Sequence, residues 1–86
     1  MTDHELFMRN QQLSTEFELY LTEHPELEEQ IPDNAMIVLL PEYDKELSNK
    51  NRELALKNRE EGQPVVYVKV HALRTSRIEG LELQFV

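Results

Sequence analysis

Apolar residues recur every three or four positions through the first third of the chain, which is the spacing of an amphipathic α-helix. Thr2, followed three positions later by Glu5, has the form of a capping box, so we predict a helix over about residues 3–23. Pro25 ends this helix, because a residue that precedes proline disfavours the helical conformation. Proline also suits the first position of a helix, and a second, short helix is predicted over residues 25–30.

The hydrophobic pattern changes at residues 35–40, where AMIVLL is a continuous apolar run between turn residues. Such a run is typical of a strand that is covered on both faces. The helical spacing returns over residues 44–61, with Asp44 at the N-cap position and Gly62 where a left-handed residue commonly ends a helix. A second apolar run, VVYVKV at residues 65–70, predicts another strand.

The order of these elements predicts the fold. A strand, a helix of about five turns and a second strand form one right-handed βαβ crossover with parallel strands. Residues 81–86, LELQFV, alternate as a third strand, and residues 71–80 are too few for another crossover helix, so this strand is expected to run antiparallel. We therefore predict a single α+β domain (a small α/β fold) over residues 1–86, in which an N-terminal helical pair packs on a small mixed sheet.

The helix predicted over residues 44–61 contains the tetrad Lys-Asn-Arg-Glu twice, at residues 50–53 and 57–60. Because seven residues make about two helical turns, the two copies lie on the same side of the helix. The lysines and glutamates form pairs four residues apart that stabilise a helix by themselves. The asparagines, in contrast, fall on the apolar face. That face comprises Leu47, Asn51, Leu54 and Asn58.

The first helix has the same feature, since Asn10 lies on its apolar side. A buried amide without hydrogen-bond partners costs roughly 1–3 kcal/mol, so these three asparagines need partners or solvent. Asn10, Asn51 and Asn58 therefore form a candidate polar seam, with three interpretations open. In the first, the two helices pack together and the amides form hydrogen bonds across the seam or to loop carbonyls. In the second, the seam is a homodimer or partner contact, where a polar residue sets the register. In the third, the amides bind a ligand.

The opposite side of the same helix carries Leu56, with Arg52 and Arg59 beside it. An arginine can bind a carboxylate of an acidic partner through two parallel hydrogen bonds. These three residues are a candidate partner surface, and the alternative is that they are ordinary solvated side chains.

A third candidate site follows from the predicted sheet. Ligands of open α/β sheets bind beyond the carboxyl ends of parallel strands, and here those ends carry Glu42, Tyr43, Asp44 and His71. Asp44 is also explained as a helix cap and Glu42 as a loop carboxylate. We predict no catalytic residue, no metal and no cofactor, because the chain has no Gly-rich phosphate loop, no cysteine and no ligand spacing among its histidines.

Charge and length limit the function classes. Residues 1–33 contain nine acids and one base, whereas residues 34–86 contain equal numbers of both, and the net charge is −8. Nucleic-acid binding depends on clustered lysine and arginine, so no direct nucleic-acid partner is expected. No apolar run is long enough for a membrane span and no signal peptide is recognisable, so a cytoplasmic location and no membrane partner are expected.

Three blocks of the sequence resemble a small, uncharacterised family of prokaryotic proteins. The blocks are LSTEFELYL at 13–21, IPDNAMIVLLPEYDKEL at 31–47 and KNRELALKNREEGQPVVYV at 50–68. The resemblance covers residues 5–70 and leaves the tail after Val70 outside it. The family is one of unknown function, so the resemblance implies no activity and no functional residue.

These observations favour a non-enzymatic protein-interaction or regulatory module, for example an antitoxin-like protein that acts through a partner. The acidic first third of the chain and the exposed Leu56 support this hypothesis. The alternative is a small-molecule or nucleotide-binding domain, with or without catalysis, at the edge formed by Glu42–Asp44 and His71. A homodimer is also expected, because a C-terminal strand with an open edge invites pairing.

Overall fold

The computed structural model describes residues 1–74 and 77–86, and within them three helices and three strands form one α+β unit. The helices are α1 (Asp3–Glu23), α2 (Pro25–Glu28) and α3 (Lys45–Asn58), and the strands are β1 (Met36–Pro41), β2 (Val65–Arg74) and β3 (Arg77–Phe85). The sheet has the order β1-β2-β3, with β1 parallel to β2 and β2 antiparallel to β3. The predicted fold class, including the mixed sheet, is confirmed.

The helices begin where the sequence places their caps. The hydroxyl oxygen of Thr2 accepts a hydrogen bond from the Glu5 amide at 3.1 Å, and the carboxylate of Asp44 accepts one from the Leu47 amide, also at 3.1 Å. Each bond satisfies one of the amide groups that the first turn of a helix leaves without a partner.

The second and third strands are longer than predicted. The structure extends β2 to Arg74 and begins β3 at Arg77, so the segment expected to be a connection over residues 71–80 belongs to the sheet; its remaining two residues lie outside the described residues. Leu73 pairs with Ile78 across the two strands, and both pack against the core. This burial favours continued pairing, which the shorter apolar runs did not indicate.

Two core clusters lie on opposite faces of the sheet. On one face, α1 supplies Leu13 and Phe17, which pack with Leu39 and with three valines of β2, Val66, Val68 and Val70. On the other face, Val38 and Leu40 pack with Ala55 of α3. β1 is thus covered on both faces, in agreement with the interpretation of its continuous apolar run. Each fully buried aliphatic side chain contributes about 1.5–3 kcal/mol.

Helix α3 lies along the outer edge of β1 and joins both clusters. Leu47, near its start, belongs to the cluster that contains α1, whereas Ala55 belongs to the other cluster. Asn51 is midway between them and is only 9% exposed. The buried strip of α3 is therefore narrow, with one residue every four positions.

The expectation that Leu54 and Asn58 also face the interior is wrong. Leu54 is 39% exposed and Asn58 is exposed, although Leu47 and Asn51 are buried as expected. The physical reason is that α3 packs mainly against β1, a single edge strand, which is too narrow to cover the whole apolar face of the helix.

This narrow strip predicts a large difference between two leucines of α3. Leu47→Ala is expected to lower the free energy of unfolding by about 2–5 kcal/mol, because it leaves a cavity in the core. Leu54→Ala removes the same atoms from a half-exposed position and is expected to cost less than about 1 kcal/mol. Urea unfolding followed by circular dichroism measures both. Equal losses would contradict the placement of α3.

Candidate functional site

The outer edge of β1 opens into a groove between α1 and α3, with a volume of about 270 Å³. We call it the edge groove. Its walls are polar and apolar side chains from the two helices, and its floor is the first four residues of β1. The residues that line it are Asn10 and Ser14 of α1, Met36 to Leu39 of β1, and Asn51, Leu54, Ala55 and Asn58 of α3.

Two of the three predicted seam residues form a reciprocal amide pair at this groove. Asn10 Nδ2 donates to Asn51 Oδ1 at 3.0 Å, and Asn51 Nδ2 donates to Asn10 Oδ1 at 2.9 Å. Asn51 Nδ2 also donates to the carbonyl oxygen of Leu39 at 2.8 Å. Both amide hydrogens of Asn51 are thereby used, so this buried side chain is satisfied while it joins α1, α3 and β1.

The Leu39 carbonyl is available to Asn51 because it points away from the sheet. The amide of Met36 donates to the Pro64 carbonyl at 2.8 Å and that of Glu42 to the Val70 carbonyl at 2.9 Å, so even-numbered residues of this segment face β2. Backbone groups alternate in direction along a strand. The odd-numbered residues of β1 therefore face the outer edge.

The far end of this edge is closed. Pro41 has no N–H, and its carbonyl accepts hydrogen bonds from Ser48 Oγ at 2.6 Å and from the Asp44 amide at 3.1 Å. Together with Asn51 at Leu39, these contacts prevent another strand from pairing with the second half of β1.

The near end of the edge is open. The N–H and C=O of Ile37 and the N–H of Leu39 face the groove, and none of them takes part in a hydrogen bond with the residues that the structure describes. The Ile37 side chain is 36% exposed beside them. The edge groove therefore presents a short stretch of unpaired strand backbone between two helices.

An ionic cluster holds the two helices together next to the groove. Arg9 of α1 lies 3.2 Å from Asp44 and 3.4 Å from Glu46 at the start of α3, and 3.6 Å from Glu5 of its own helix. These groups are mostly exposed, so each pair contributes only about 0.2–1 kcal/mol.

Asn58, the third predicted seam residue, does not join the amide pair. Its Nδ2 donates to the Leu54 carbonyl of its own helix at 2.9 Å, and the side chain lines the outer part of the groove. For Asn10 and Asn51, the structure has the hydrogen bonds of the first interpretation. A role of the seam in binding a partner or ligand stays a prediction.

The structure brings together some of the four residues predicted at the strand-end edge and separates others. His71 Nδ1 lies 3.1 Å from Glu42 Oε2, so these two residues are in contact. The His71 ring packs across Gly80, where an added Cβ would lie 3.1 Å from His71 Cδ2. Asp44 instead caps α3 and contacts Arg9. Burial, and then the charge of Asp44, raises the pKa of Tyr43 above its usual value.

The three residues of the predicted partner surface on α3 also have different environments. Leu56 is 77% exposed. The Arg52 guanidinium lies 5.9 Å from the centroid of the Tyr67 ring, and Arg59 Nε donates to the Gln63 carbonyl at 3.0 Å. The two arginines therefore turn toward different parts of the same chain, and only Leu56 projects freely. Its use in a protein contact stays a prediction.

Sequence reasoning missed Ser14, Ile37 and Leu54 as groove residues. The available signal was the order of the strands: in a three-stranded sheet in which β2 pairs with both others, β1 must be an edge. Nothing in the apolar run showed which part of that edge would stay open. Among the described residues no group of three or more metal-binding side chains is close enough to hold an ion, and none of the helices there could span a membrane.

These features define a small α+β protein whose edge strand is partly covered by helices and partly accessible. The chain belongs to the family of unknown function DUF5647, whose model matches residues 5–81. The match continues beyond Val70, where the resemblance in the sequence ended, and so includes all of β2 and the first half of β3. Comparison with curated proteins and with solved structures gives no significant match.

The geometry of the seam predicts different roles for two asparagines of α3. Asn51→Ala leaves the Leu39 carbonyl and the Asn10 amide without partners, and is expected to cost about 1–3 kcal/mol of unfolding free energy. Asn58→Ala, the matched control from the same helix, is expected to change it by less than about 0.5 kcal/mol. Urea unfolding of both variants measures the difference. A loss at Asn58 as large as that at Asn51 would show that the amide pair is not the stabilising contact.

Proposed function

We propose that this protein is a non-enzymatic interaction module that binds a short extended segment of a partner protein at the open edge of β1. The observation that carries the proposal is the unpaired N–H and C=O of Ile37 in the edge groove. In an antiparallel pair, such a residue exchanges two hydrogen bonds with one residue of the added strand. Addition of a strand to an exposed sheet edge is a common mode of peptide recognition.

The size and lining of the groove favour a short segment with mixed side chains. Its volume of about 270 Å³ leaves room for few residues, and the closed end at Pro41 stops pairing further along β1. Leu54 offers an apolar contact, while Ser14 and Asn58 offer polar ones. Backbone hydrogen bonds supply affinity in this mode, and the flanking side chains select the sequence.

The charge distribution favours a basic partner. Nine acids and one base lie in the first 33 residues, which include all of α1 along one wall of the groove. Asn10 and Ser14, the α1 residues that line the groove, are uncharged, but a segment that contains lysine or arginine would be attracted to the acidic N-terminal third around them. Two copies of this chain would each bring a net charge of −8, so electrostatic repulsion opposes self-association through the groove.

The expected homodimer through the C-terminal strand stays a separate proposal. β3 is the other edge of the sheet, and Phe85 is exposed near its end. Glu79 and Glu82 lie on the same strand, and charged residues at an edge disfavour pairing between copies. For this reason we place the partner on β1. We extend the proposal to a regulatory protein of the antitoxin kind that acts in a prokaryotic cytoplasm. The support for this extension comes from the sequence alone.

A second candidate function is small-molecule or nucleotide binding at the strand-end edge. The observation that favours it is the contact between Glu42 and His71, which lies next to a cavity at the carboxyl ends of the parallel strands β1 and β2. This is the region where ligands of open α/β sheets bind. Of the four residues expected at this edge, Glu42 lines that cavity and Tyr43, Asp44 and His71 do not, so the site would differ from the one expected.

Site-specific cross-linking in the native host tests the interaction module. A photoreactive amino acid at position 54, in the groove, is expected to give an adduct with a basic segment of another protein. The same amino acid at position 56, on the outward side of α3, is the matched control and is expected to give none. Mass spectrometry identifies the cross-linked peptide, and a synthetic copy of it is then expected to protect the Ile37 amide from hydrogen exchange.

Three results would contradict the proposal. An adduct at position 56 without one at position 54 would move the contact to the outer surface of Leu56. Adducts formed only with a second copy of the chain would replace the partner by a homodimer. A mapped peptide that binds without slowing exchange at Ile37 would exclude pairing with β1. The Val38 amide, which already faces β2, serves as the internal control for exchange.

A further inference from the structure

A second cavity lies beside α3 on the face of the sheet that α1 does not cover, with a volume of about 570 Å³. We call it the basic cavity. Ser48 and Asn49 contribute polar side chains from α3, and Leu40 forms part of the floor. The charged residues that line it are Lys45 and Arg52 of α3, Lys69 of β2, and Glu42 in the loop after β1.

The charge of this cavity is opposite to that of the whole chain. Three cations and one carboxylate meet there, although the net charge of the protein is −8. None of the three cations lies within ion-pair distance of a carboxylate among the described residues, a property they share with Lys57 and Arg59 outside the cavity. Like charges that line one cavity repel one another, and a bound anion would reduce that repulsion.

The cations come from different elements and are positioned independently. Lys45 and Arg52 are seven residues apart on α3, about two turns, so they project from the same side of the helix. Arg52 is held by its cation–π contact with Tyr67 of β2, at 5.9 Å from the ring centroid. Lys69 is half-buried on β2 and pairs in register with Leu40 of β1 and with Glu82 of β3, whose carboxylate does not line the cavity. The cavity thus faces basic groups from two directions.

We propose that the basic cavity binds a small molecule through a phosphate monoester group. Three cations and one carboxylate leave two positive charges, which match the charge of about −1.5 to −2 that a phosphate monoester carries near pH 7. The Arg52 guanidinium can bind two phosphate oxygens at once, and the lysines act as point charges. The volume lies within the range of about 300–1,000 Å³ that is typical of small-molecule sites.

Glu42 sets the kind of molecule that carries the phosphate. As an acid at the rim, in contact with His71, it repels a second anionic group and accepts hydrogen bonds from hydroxyl groups. A hydroxylated phosphate ester, such as a sugar or polyol phosphate, therefore fits this cavity better than a polyphosphate. The proposal names the ligand class of the second candidate function and is independent of the edge groove.

Calorimetric titration of the full chain at constant ionic strength tests this site, with glycerol 3-phosphate and inorganic phosphate as probes. Saturable binding of glycerol 3-phosphate is expected. Arg52→Gln and Lys69→Gln are each expected to weaken it by about tenfold or more, because each removes a hydrogen bond between charged groups. Lys57→Gln is the matched control: it removes the same charge from α3 outside the cavity and should leave the affinity unchanged. Glu42→Gln is expected to tighten the binding of inorganic phosphate.

Each alternative outcome decides against the proposal or part of it. Absence of saturable binding for both probes overturns it, provided that circular dichroism shows the chain to be folded. Equal weakening by Lys57→Gln shows a general charge effect and also overturns it. Equal affinity for the two probes supports the anion site but replaces the ester by free phosphate. None of these results bears on cross-linking at position 54, so the two proposals fail separately.

Discussion

The side chain of Asn51 connects the three elements on which the edge of this sheet depends. Its amide donates to the Leu39 carbonyl of β1 and exchanges hydrogen bonds with Asn10 of α1. An unpaired carbonyl at a sheet edge invites pairing with another chain, and a buried amide without partners is costly. The hydrogen bond between them resolves both problems, because the Asn51 amide gains an acceptor and the Leu39 carbonyl gains a donor. The chain has no disulfide that could do the same by covalent means.

This arrangement divides β1 into a closed half and an open half. In the second half, Asn51 and Ser48 donate to the outward-facing carbonyls of Leu39 and Pro41, and Pro41 has no N–H. In the first half, Ile37 keeps its outward-facing backbone groups available. α3 packs against the strand through Leu47 and Ala55, which belong to different core clusters, while the more exposed Leu54 and Asn58 line the groove. The groove and the basic cavity lie on different sides of α3, next to an acidic helix and a basic cluster respectively. One crossover helix thereby separates a groove lined by uncharged residues from a cavity lined by three cations and one carboxylate.

Much of the local structure and the fold class followed from short patterns. Thr2 and Asp44 cap helices because their side-chain oxygens accept hydrogen bonds from amides only a few residues away, and such contacts can be inferred from spacing alone. The polar seam was also visible in the sequence, since an asparagine on an apolar helix face requires a partner. What spacing could not provide was that partner: Asn51 bonds to Asn10, forty-one residues away, while Asn58 bonds to its own helix. The four residues predicted at the strand-end edge are not all together for the same reason: Asp44 forms an ion pair with Arg9 of α1, which is distant in the sequence, and not with His71.

The sequence by itself determined the helices, the strand types, the antiparallel return of β3 and the presence of amides that needed partners. Each of these depends on interactions between residues close in the chain, or on periodicities that a helix or strand imposes on every sequence. Only the tertiary structure decided that α3 lies along the edge of β1, that the backbone groups of Ile37 remain open, and that Lys69 lines the same cavity as Lys45 and Arg52. These features depend on how far a helix tilts across a strand, which is set by the packing of Leu47 and Ala55 into two different clusters. Residues far apart in the chain specify that packing together, so no single stretch of sequence contains it.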